Sequence, residues 1–181
     1  KQCYNLLHHA WPVFRQQAYG RVVMATSSSG LVGNFGQANY GAAKAGMYGL
    51  MNVAKIEGEK YNIMVNLISP GAMTRMTENL MAGRGEDVEE RKQTSAPEHV
   101  APAVTYLASP NCTVSGICID ANGGRYGRSQ MVRTVGVSYD PHEFKDADWF
   151  ESQFDKICDM TGATEPWSMR ETRQQHYAAK G

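Results

Sequence analysis

The sequence predicts a three-layer α/β protein with a parallel sheet that is followed by a helical C-terminal appendage. Two short apolar runs, at residues 22–25 and 63–68, lack the alternation of half-exposed strands and therefore indicate strands covered on both faces. Helical patterns separate these runs from each other and from a third short strand at residues 116–120. Strands and helices in alternation imply right-handed crossovers and a sheet between two helical layers.

The chain opens with an amphipathic helix. Its apolar residues recur at helical spacing: Leu6, Leu7, Ala10, Val13 and Phe14. We expect this helix to end near Tyr19, with Gly20 just past its C-terminus. Pro12 lies inside the pattern and should bend the helix or remove one of its hydrogen bonds.

A long second helix follows the first strand. It is expected to begin at Asn39 or Tyr40 and to end at about Glu59. One stripe of apolar side chains should pack on the sheet: Ala43, Met47, Leu50, Met51 and Ala54.

The segment before the third strand contains a helix-start signal. Residues 75–94 are polar and acidic, and we expect a loop with helical turns there. Ser95 and Glu98 have the spacing of a capping box, with Pro97 in the first turn, and so predict a helix over residues 99–108.

The residue pattern of the sequence changes after the third strand. We therefore assign residues 1–124 to the sheet-containing domain and residues 125–181 to an appendage. The appendage contains an amphipathic segment, residues 146–160, with Phe150, Phe154 and Ile157 on one side.

Composition limits the class of protein. The 181 residues carry 18 basic and 18 acidic side chains, so nothing predicts nucleic acid or an anionic membrane as a partner. Four cysteines lack the spacing of a metal site and are expected to be reduced thiols, and no metal is predicted. There is no signal peptide, no peroxisomal C-terminal signal and no membrane-spanning apolar run, which favours the cytoplasm.

Residues that could take part in catalysis lie at or near the ends of the predicted strands. Ligands of open parallel sheets bind at the carboxyl ends of the strands, where Ser27 follows the first strand. Tyr40 and Lys44 are four residues apart on the next helix and share a face. An ammonium at ~4 Å would favour a phenolate by ~4 kcal/mol in a partly shielded site but by only ~1 kcal/mol in water. Lys44 alone would therefore not stabilise the phenolate enough, and a second positive charge, for example on a bound cofactor, would be needed.

The full arrangement resembles the short-chain dehydrogenase/reductase family. Ser27 is followed thirteen residues later by Tyr40 and then by Lys44, and the segment between them ends in GNFGQANY. The tripeptides Ser69-Pro70-Gly71 and Asn122-Gly123-Gly124 follow at that family's spacing. The resemblance is nearly continuous over residues 21–124. It implies a three-layer Rossmann-type parallel sheet of which this chain carries the C-terminal part only.

The resemblance implies a role for each matching residue. Tyr40 would be the acid/base on the substrate oxygen, Lys44 would stabilise its phenolate and bind the nicotinamide ribose, and Ser27 would hold the substrate oxygen. Asn34 and Gln37 would join Ser27 in contacting the substrate. Besides Tyr40 and Lys44, the cofactor NAD or NADP, with NAD favoured, would contact a loop after the second strand: Pro70, Gly71, Ala72, Met73 and Thr74.

A narrower resemblance covers nearly the whole chain. GNFGQANY, residues 74–77 and residues 156–159 are similar to the (3R)-hydroxyacyl-CoA dehydrogenase units of peroxisomal multifunctional β-oxidation enzymes and their bacterial relatives. It implies interconversion of a secondary alcohol and a ketone, a 3-hydroxyacyl-CoA and a 3-oxoacyl-CoA, with a small acyl thioester as substrate. The family is commonly dimeric or tetrameric through the helix with Tyr40 and its predecessor.

Two parts of the family's pattern are not in the chain. A Gly-rich phosphate turn and a fourth catalytic residue, usually Asn, would precede Lys1, so we expect a fragment. Gly30, Gly33 and Gly36 do not have the phosphate-loop spacing. A 3-oxoacyl-(acyl carrier protein) reductase using NADPH and a non-catalytic piece held by a partner remain alternatives.

Overall fold

A computed structural model describes residues 1–74, 77 and 88–172. Most of the predicted loop over residues 75–94 lies outside the described residues. The chain divides into two compact units, Lys1–Ser129 and Gln130–Gly181.

The first unit contains the predicted sheet. Its strands are β1 (Gly20–Ala25), β2 (Ile63–Gly71), β3 (Cys118–Asn122) and β4 (Arg125–Ser129), in the spatial order β1-β2-β3-β4. β1 pairs with β2 and β2 with β3 in parallel, while β4 is antiparallel to β3. The α/β fold class with a mostly parallel sheet is therefore confirmed.

The third strand begins two residues later than predicted. Gly116 has φ of 78° and its N–H donates to the Val65 carbonyl at 2.8 Å, so this residue forms a turn before the strand. The sequence also failed to predict β4. Gly123 and Gly124 have φ of 53° and 75°, which suits a two-residue hairpin and returns the chain along β3. The sheet unit consequently extends to Ser129, past residue 124, where the sequence suggested a boundary.

The first helix, α1 (Gln2–Gln17), ends earlier than expected. Ala18 adopts the left-handed conformation with φ of 50° and closes the helix, so the prediction that Gly20 has this role is wrong. Gly20 is the first residue of β1. A Cβ there would lie 2.9 Å from Cγ2 of Ile63 and 3.0 Å from Cγ of Phe14, so close packing explains this glycine.

The long helix α3 (Ala38–Gly58) has the predicted extent and continues as a 3₁₀ turn over Glu59–Tyr61. Met51 and Ala54 are buried as predicted, and Met47 and Leu50 pack against the same core, but Ala43 is exposed. The first turns of α3 pack on the short helix α2 (Ser28–Leu31) through Gly41 and Lys44, which turns Ala43 outward.

The predicted capping box at Ser95 is not formed. The described helices there are α4 (Val88–Thr94), a 3₁₀ turn at Pro97–His99 and α5 (Ala101–Ala108). The Ser95 N–H closes the preceding helix on the Arg91 carbonyl at 2.9 Å. Its hydroxyl oxygen is buried and makes no hydrogen bond within the described part of the chain.

The core lies on both faces of the sheet. Leu67 packs under α1 and α3, whereas its neighbour Ile68 packs against Val100 beside α5. Because side chains alternate along a strand, these clusters lie on opposite faces, as the three-layer prediction requires.

The second unit contains the predicted amphipathic helix, α6 (Ala147–Cys158). Asp146 caps it by accepting a hydrogen bond from the Trp149 N–H at 2.9 Å. The rings of Phe150 and Phe154 lie 6.0 Å apart on the helix surface. Within the described ranges, no helix has the length and apolar character needed to cross a membrane.

Candidate active site

Ser27 lies at the carboxyl end of β1, as the sequence predicts. It follows the strand after Thr26 and is the N-cap of α2, where its Oγ accepts a hydrogen bond from the Ser29 N–H at 3.2 Å. The hydroxyl proton of Ser27 remains able to donate to another oxygen. The local turn therefore fixes the position of Ser27 and leaves its donor available.

Two glycines allow α2 to pack closely on α3. A Cβ at Gly30 would lie 2.6 Å from the Ala45 nitrogen and 2.8 Å from the Lys44 carbonyl carbon. A Cβ at Gly41 would lie 2.9 Å from the Ser29 carbonyl oxygen. These glycines bring the Ser27 turn against the helix that carries Tyr40 and Lys44. Packing accounts for Gly30 without a bound phosphate.

A side-chain network ties the loop between the two helices. The Gln37 amide oxygen accepts hydrogen bonds from Ser29 Oγ at 2.7 Å and from Asn34 Nδ2 at 3.1 Å. The Gln37 carbonyl also accepts from the Gly41 N–H at 2.7 Å, in the first turn of α3. Asn34 and Gln37, predicted to contact substrate, thus contact each other beside Ser29.

Tyr40 and Lys44 share one face of α3. The Tyr40 side chain is 44 % exposed, and the Lys44 ammonium lies 5.7 Å from the centre of its ring. Lys44 Nζ donates to the Ala25 carbonyl, the last residue of β1, at 2.9 Å. An ammonium has three N–H donors, so this bond leaves donors for other acceptors.

Sequence reasoning missed Thr26. Its side chain is 1 % exposed, and its Oγ1 donates to the Lys44 carbonyl at 2.9 Å. The signal in the sequence was a single hydroxyl residue at the end of an apolar strand. That signal could not be separated from the three serines that follow it.

The predicted cofactor residues lie at the end of β2 and directly after it. The strand continues to Gly71, three residues past its predicted end, so Pro70 and Gly71 pair with β3 and are not in a loop. Pro70 and Thr74 are exposed and Gly71 and Ala72 half-buried, but Met73 is 4 % exposed. The Met73 N–H donates to the Ser95 carbonyl at 2.7 Å. The side chain and N–H of Met73 are thus used within the protein. The N–H of the neighbouring Thr74 is also used, since it donates to Thr77 Oγ1 at 2.9 Å.

A contact between the first two strand ends connects this loop to the serine turn. Ser28 Oγ and Ser69 Oγ lie 3.4 Å apart, one residue after Ser27 and one before Pro70. The structure therefore brings the end of β1, the start of α3 and the end of β2 to one edge of the sheet. Among the described residues, no group of three or more His, Cys, Asp and Glu side chains could hold a metal ion.

The chain is similar in sequence and in structure to known proteins. A family model described as short chain dehydrogenase matches residues 2–85. A Mycobacterium tuberculosis protein described as a short-chain type dehydrogenase/reductase is 44 % identical over 88 % of this chain. The chain belongs to the short-chain dehydrogenase/reductase family.

Two further proteins are similar to this chain. The structure of full-length peroxisomal multifunctional enzyme type 2 from Drosophila melanogaster has a TM-score of 0.77 and 29 % identity over 96 % of this chain. An acetoacetyl-CoA reductase from Rhizobium meliloti is 37 % identical over 68 % of it. The chain spans 53 % of the M. tuberculosis relative, 31 % of the Drosophila chain and 54 % of the reductase.

Proposed function

We propose that this chain is the proton-transfer half of an NAD(P)-dependent oxidoreductase that interconverts a 3-hydroxyacyl-CoA and a 3-oxoacyl-CoA. The observation that supports the proposal is the close packing of α2, whose N-cap is Ser27, on the first turns of α3, which carry Tyr40 and Lys44. A hydroxyl donor, an exposed phenol and an ammonium are the groups that alcohol oxidation by proton removal requires.

Tyr40 has the exposure that an acid/base needs. As phenolate it accepts the proton of the substrate hydroxyl, and in the reverse direction the phenol returns a proton to the ketone oxygen. Lys44 brings a positive charge to the same face of α3, with its Nζ 5.7 Å from the centre of the Tyr40 ring.

Ser27 completes the oxygen site. Its Oγ is held by the Ser29 N–H, so its proton can donate to the substrate oxygen while charge develops there. This donor needs no rearrangement during the reaction because α2 already fixes it.

The residues present fit the nicotinamide end of NAD or NADP. The remaining Lys44 N–H donors and the exposed Tyr40 hydroxyl suit ribose hydroxyls, and the half-buried Gly71 and Ala72 lie at the adjacent strand end. The cofactor supplies the hydride acceptor when it is bound. We propose NAD as the preferred form and assign the adenine end to residues outside this chain.

An acyl thioester substrate is supported by the relatives, one of which is described as an acetoacetyl-CoA reductase. Asn34 and Gln37 are candidates for contacting it. The Gln37 amide oxygen accepts two hydrogen bonds within the protein. We assign the donor of this side chain, its NH₂ group, to a substrate carbonyl.

We also propose self-association through α1 and α3. Both helices present apolar side chains to solvent: Leu6 and Val13 on α1, and Val53 and Ile56 on α3. Replacement of Leu6 by Asp should shift sedimentation towards monomer, and an unchanged sedimentation coefficient would contradict this interface.

Replacement of Tyr40 by Phe tests the function. In the natural protein that contains residues 1–181, NADH formation from a 3-hydroxyacyl-CoA should fall by at least ~100-fold, since acid/base catalysis contributes ~10²–10⁴. Tyr106→Phe, on an exposed residue of α5, is the control and should keep full activity. Retention of most activity by Tyr40→Phe would refute the proposal.

A further inference from the structure

The end of β1 holds Lys44 at two points. Thr26 Oγ1 donates to the Lys44 carbonyl at 2.9 Å, and Lys44 Nζ donates to the Ala25 carbonyl at 2.9 Å. One contact fixes the backbone of the lysine and the other its ammonium. Ala25, the last residue of β1, and Thr26, which follows it, therefore hold the two ends of the lysine.

Thr26 is buried and hydrogen-bonded to the sheet. It is 1 % exposed, and its N–H donates to the Ile68 carbonyl of β2 at 2.8 Å. Its side chain therefore transmits the position of the sheet to α3. The following residue, Ser27, takes its position from the same strand end.

Helix α2 packs closely on the base of the Lys44 side chain, where only a glycine fits at residue 30, since a Cβ there would lie 2.8 Å from the Lys44 Cβ. Of the two hydrogen bonds that join Lys44 to the end of β1, the one from Thr26 uses a side chain and can be removed by substitution, whereas Ala25 accepts through its backbone carbonyl. The Lys44 carbonyl has a second lone pair beyond the one used in its helix, so the hydroxyl contact adds to the helical bond and does not replace it.

We propose that Thr26 is a positioning residue that acts through Lys44, setting the ammonium relative to Ser27 and Tyr40. This inference rests on the proposed function. Without the Thr26 hydroxyl, α3 keeps its hydrogen bonds, but the start of the lysine side chain is no longer tied to the sheet. Misplacement by ~1 Å in an active site can cost ~100-fold in rate.

Thr26→Val keeps the side-chain shape and removes the donor. In the natural protein that contains residues 1–181, we expect kcat to fall ~10–100-fold, within the range for ~1 Å misplacement, with KM changed less than ~3-fold. Thr26→Ser keeps the donor and should restore most of kcat. Thr105→Val, the same change on the exposed side of α5, is the control for the substitution and should not change kcat.

A second readout does not depend on activity. Reductive methylation of lysines, followed by peptide mass spectrometry, should label Lys44 faster in Thr26→Val than in wild type or Thr26→Ser, with Lys92 as internal reference. Equal Lys44 labelling in all three proteins would overturn the inference, as would equal loss of kcat in the Val and Ser variants. A wild type without NAD(P)-linked activity would refute the proposed function, while faster labelling in Thr26→Val would still support the contact.

Discussion

The side chain of Asn122 fills the space in which a Cβ of residue 71 would lie. The two residues pair across β2 and β3, and a Cβ at Gly71 would lie 2.4 Å from Asn122 Cγ and 2.6 Å from its Oδ1. The family resemblance placed Gly71 among the residues that would contact the cofactor. The structure gives a reason within the protein, because the ends of two neighbouring strands pack directly on each other.

Replacement of Gly71 by Ala should therefore destabilise the protein. The added methyl must displace Asn122 or separate the strand ends, and overpacking typically costs ~1–3 kcal/mol. Urea denaturation would measure the loss. In an Asn122→Ala background the same change should cost clearly less, because the clashing side chain is gone; equal costs in both backgrounds would contradict the packing argument.

Gly30→Ala should lower the free energy of unfolding more than a glycine-to-alanine substitution elsewhere in α2 and α3. The new Cβ would meet backbone atoms, the Ala45 nitrogen at 2.6 Å and the Lys44 carbonyl carbon at 2.8 Å, so no side-chain rotation can relieve it. We expect a loss of at least ~1–3 kcal/mol together with a loss of activity.

Gly46→Ala provides the matched control for Gly30→Ala. A Cβ at Gly46 would contact nothing within 4 Å, and the residue lies inside α3. This substitution should stabilise the protein by roughly 0.5–1 kcal/mol, since alanine favours helix more than glycine does. If both variants lost similar stability in urea, the close α2–α3 contact would not be the cause.

The sequence predicted the elements whose patterns are local. The unalternating apolar runs identified β1 and β2, and the helical spacing identified α1, α3 and α6, because these patterns follow directly from burial. β4 was missed because its five residues, Arg125–Ser129, are stabilised by pairing with β3 and have no apolar run of their own. Ser95 was misassigned because a capping-box spacing does not show which helix end a residue occupies.

The site was predictable only in part. Ser27, Tyr40 and Lys44 were selected because their arrangement resembles that of the short-chain dehydrogenase/reductase family. The structure brings the elements that carry them together, and their catalytic roles remain predictions. Contacts that depend on packing between distant elements, such as Thr26 with Lys44 across eighteen positions, leave no periodic signal in one sequence. The buried Met73 shows the same limit, because its neighbours in the loop are exposed or half-buried.

Gln37→Glu separates two roles of Gln37. A carboxylate can still accept from Ser29 and Asn34, so the loop should remain folded and the melting temperature nearly unchanged. It cannot donate to a thioester carbonyl, so KM for the acyl-CoA should rise by ~10-fold or more, the usual cost of leaving a polar group unpaired. Ser29→Ala is the comparison, since it loosens the loop but keeps the amide. A normal KM in Gln37→Glu would remove Gln37 from the substrate-binding residues.

Cys118 should make stability fall in alkaline solution. Burial, with a smaller effect of the Asp120 charge, raises the pKa of the Cys118 thiol to about 12. The unfolded thiol loses its proton near ~8.5, so between ~9 and ~12 the folded state binds the extra proton and stability falls by about 1.4 kcal/mol per pH unit.

Urea denaturation at several alkaline pH values, compared between wild type and Cys118→Ala, isolates this contribution from other titrating groups. The difference in unfolding free energy between the two proteins should shrink as pH rises, because the variant has no thiol to deprotonate on unfolding. A thiol reagent at neutral pH should also label the exposed Cys3 and Cys158 while the native fold protects Cys112 and Cys118. A difference in unfolding free energy that does not change with pH, or fast labelling of Cys118, would show that this thiol is not held protonated by burial.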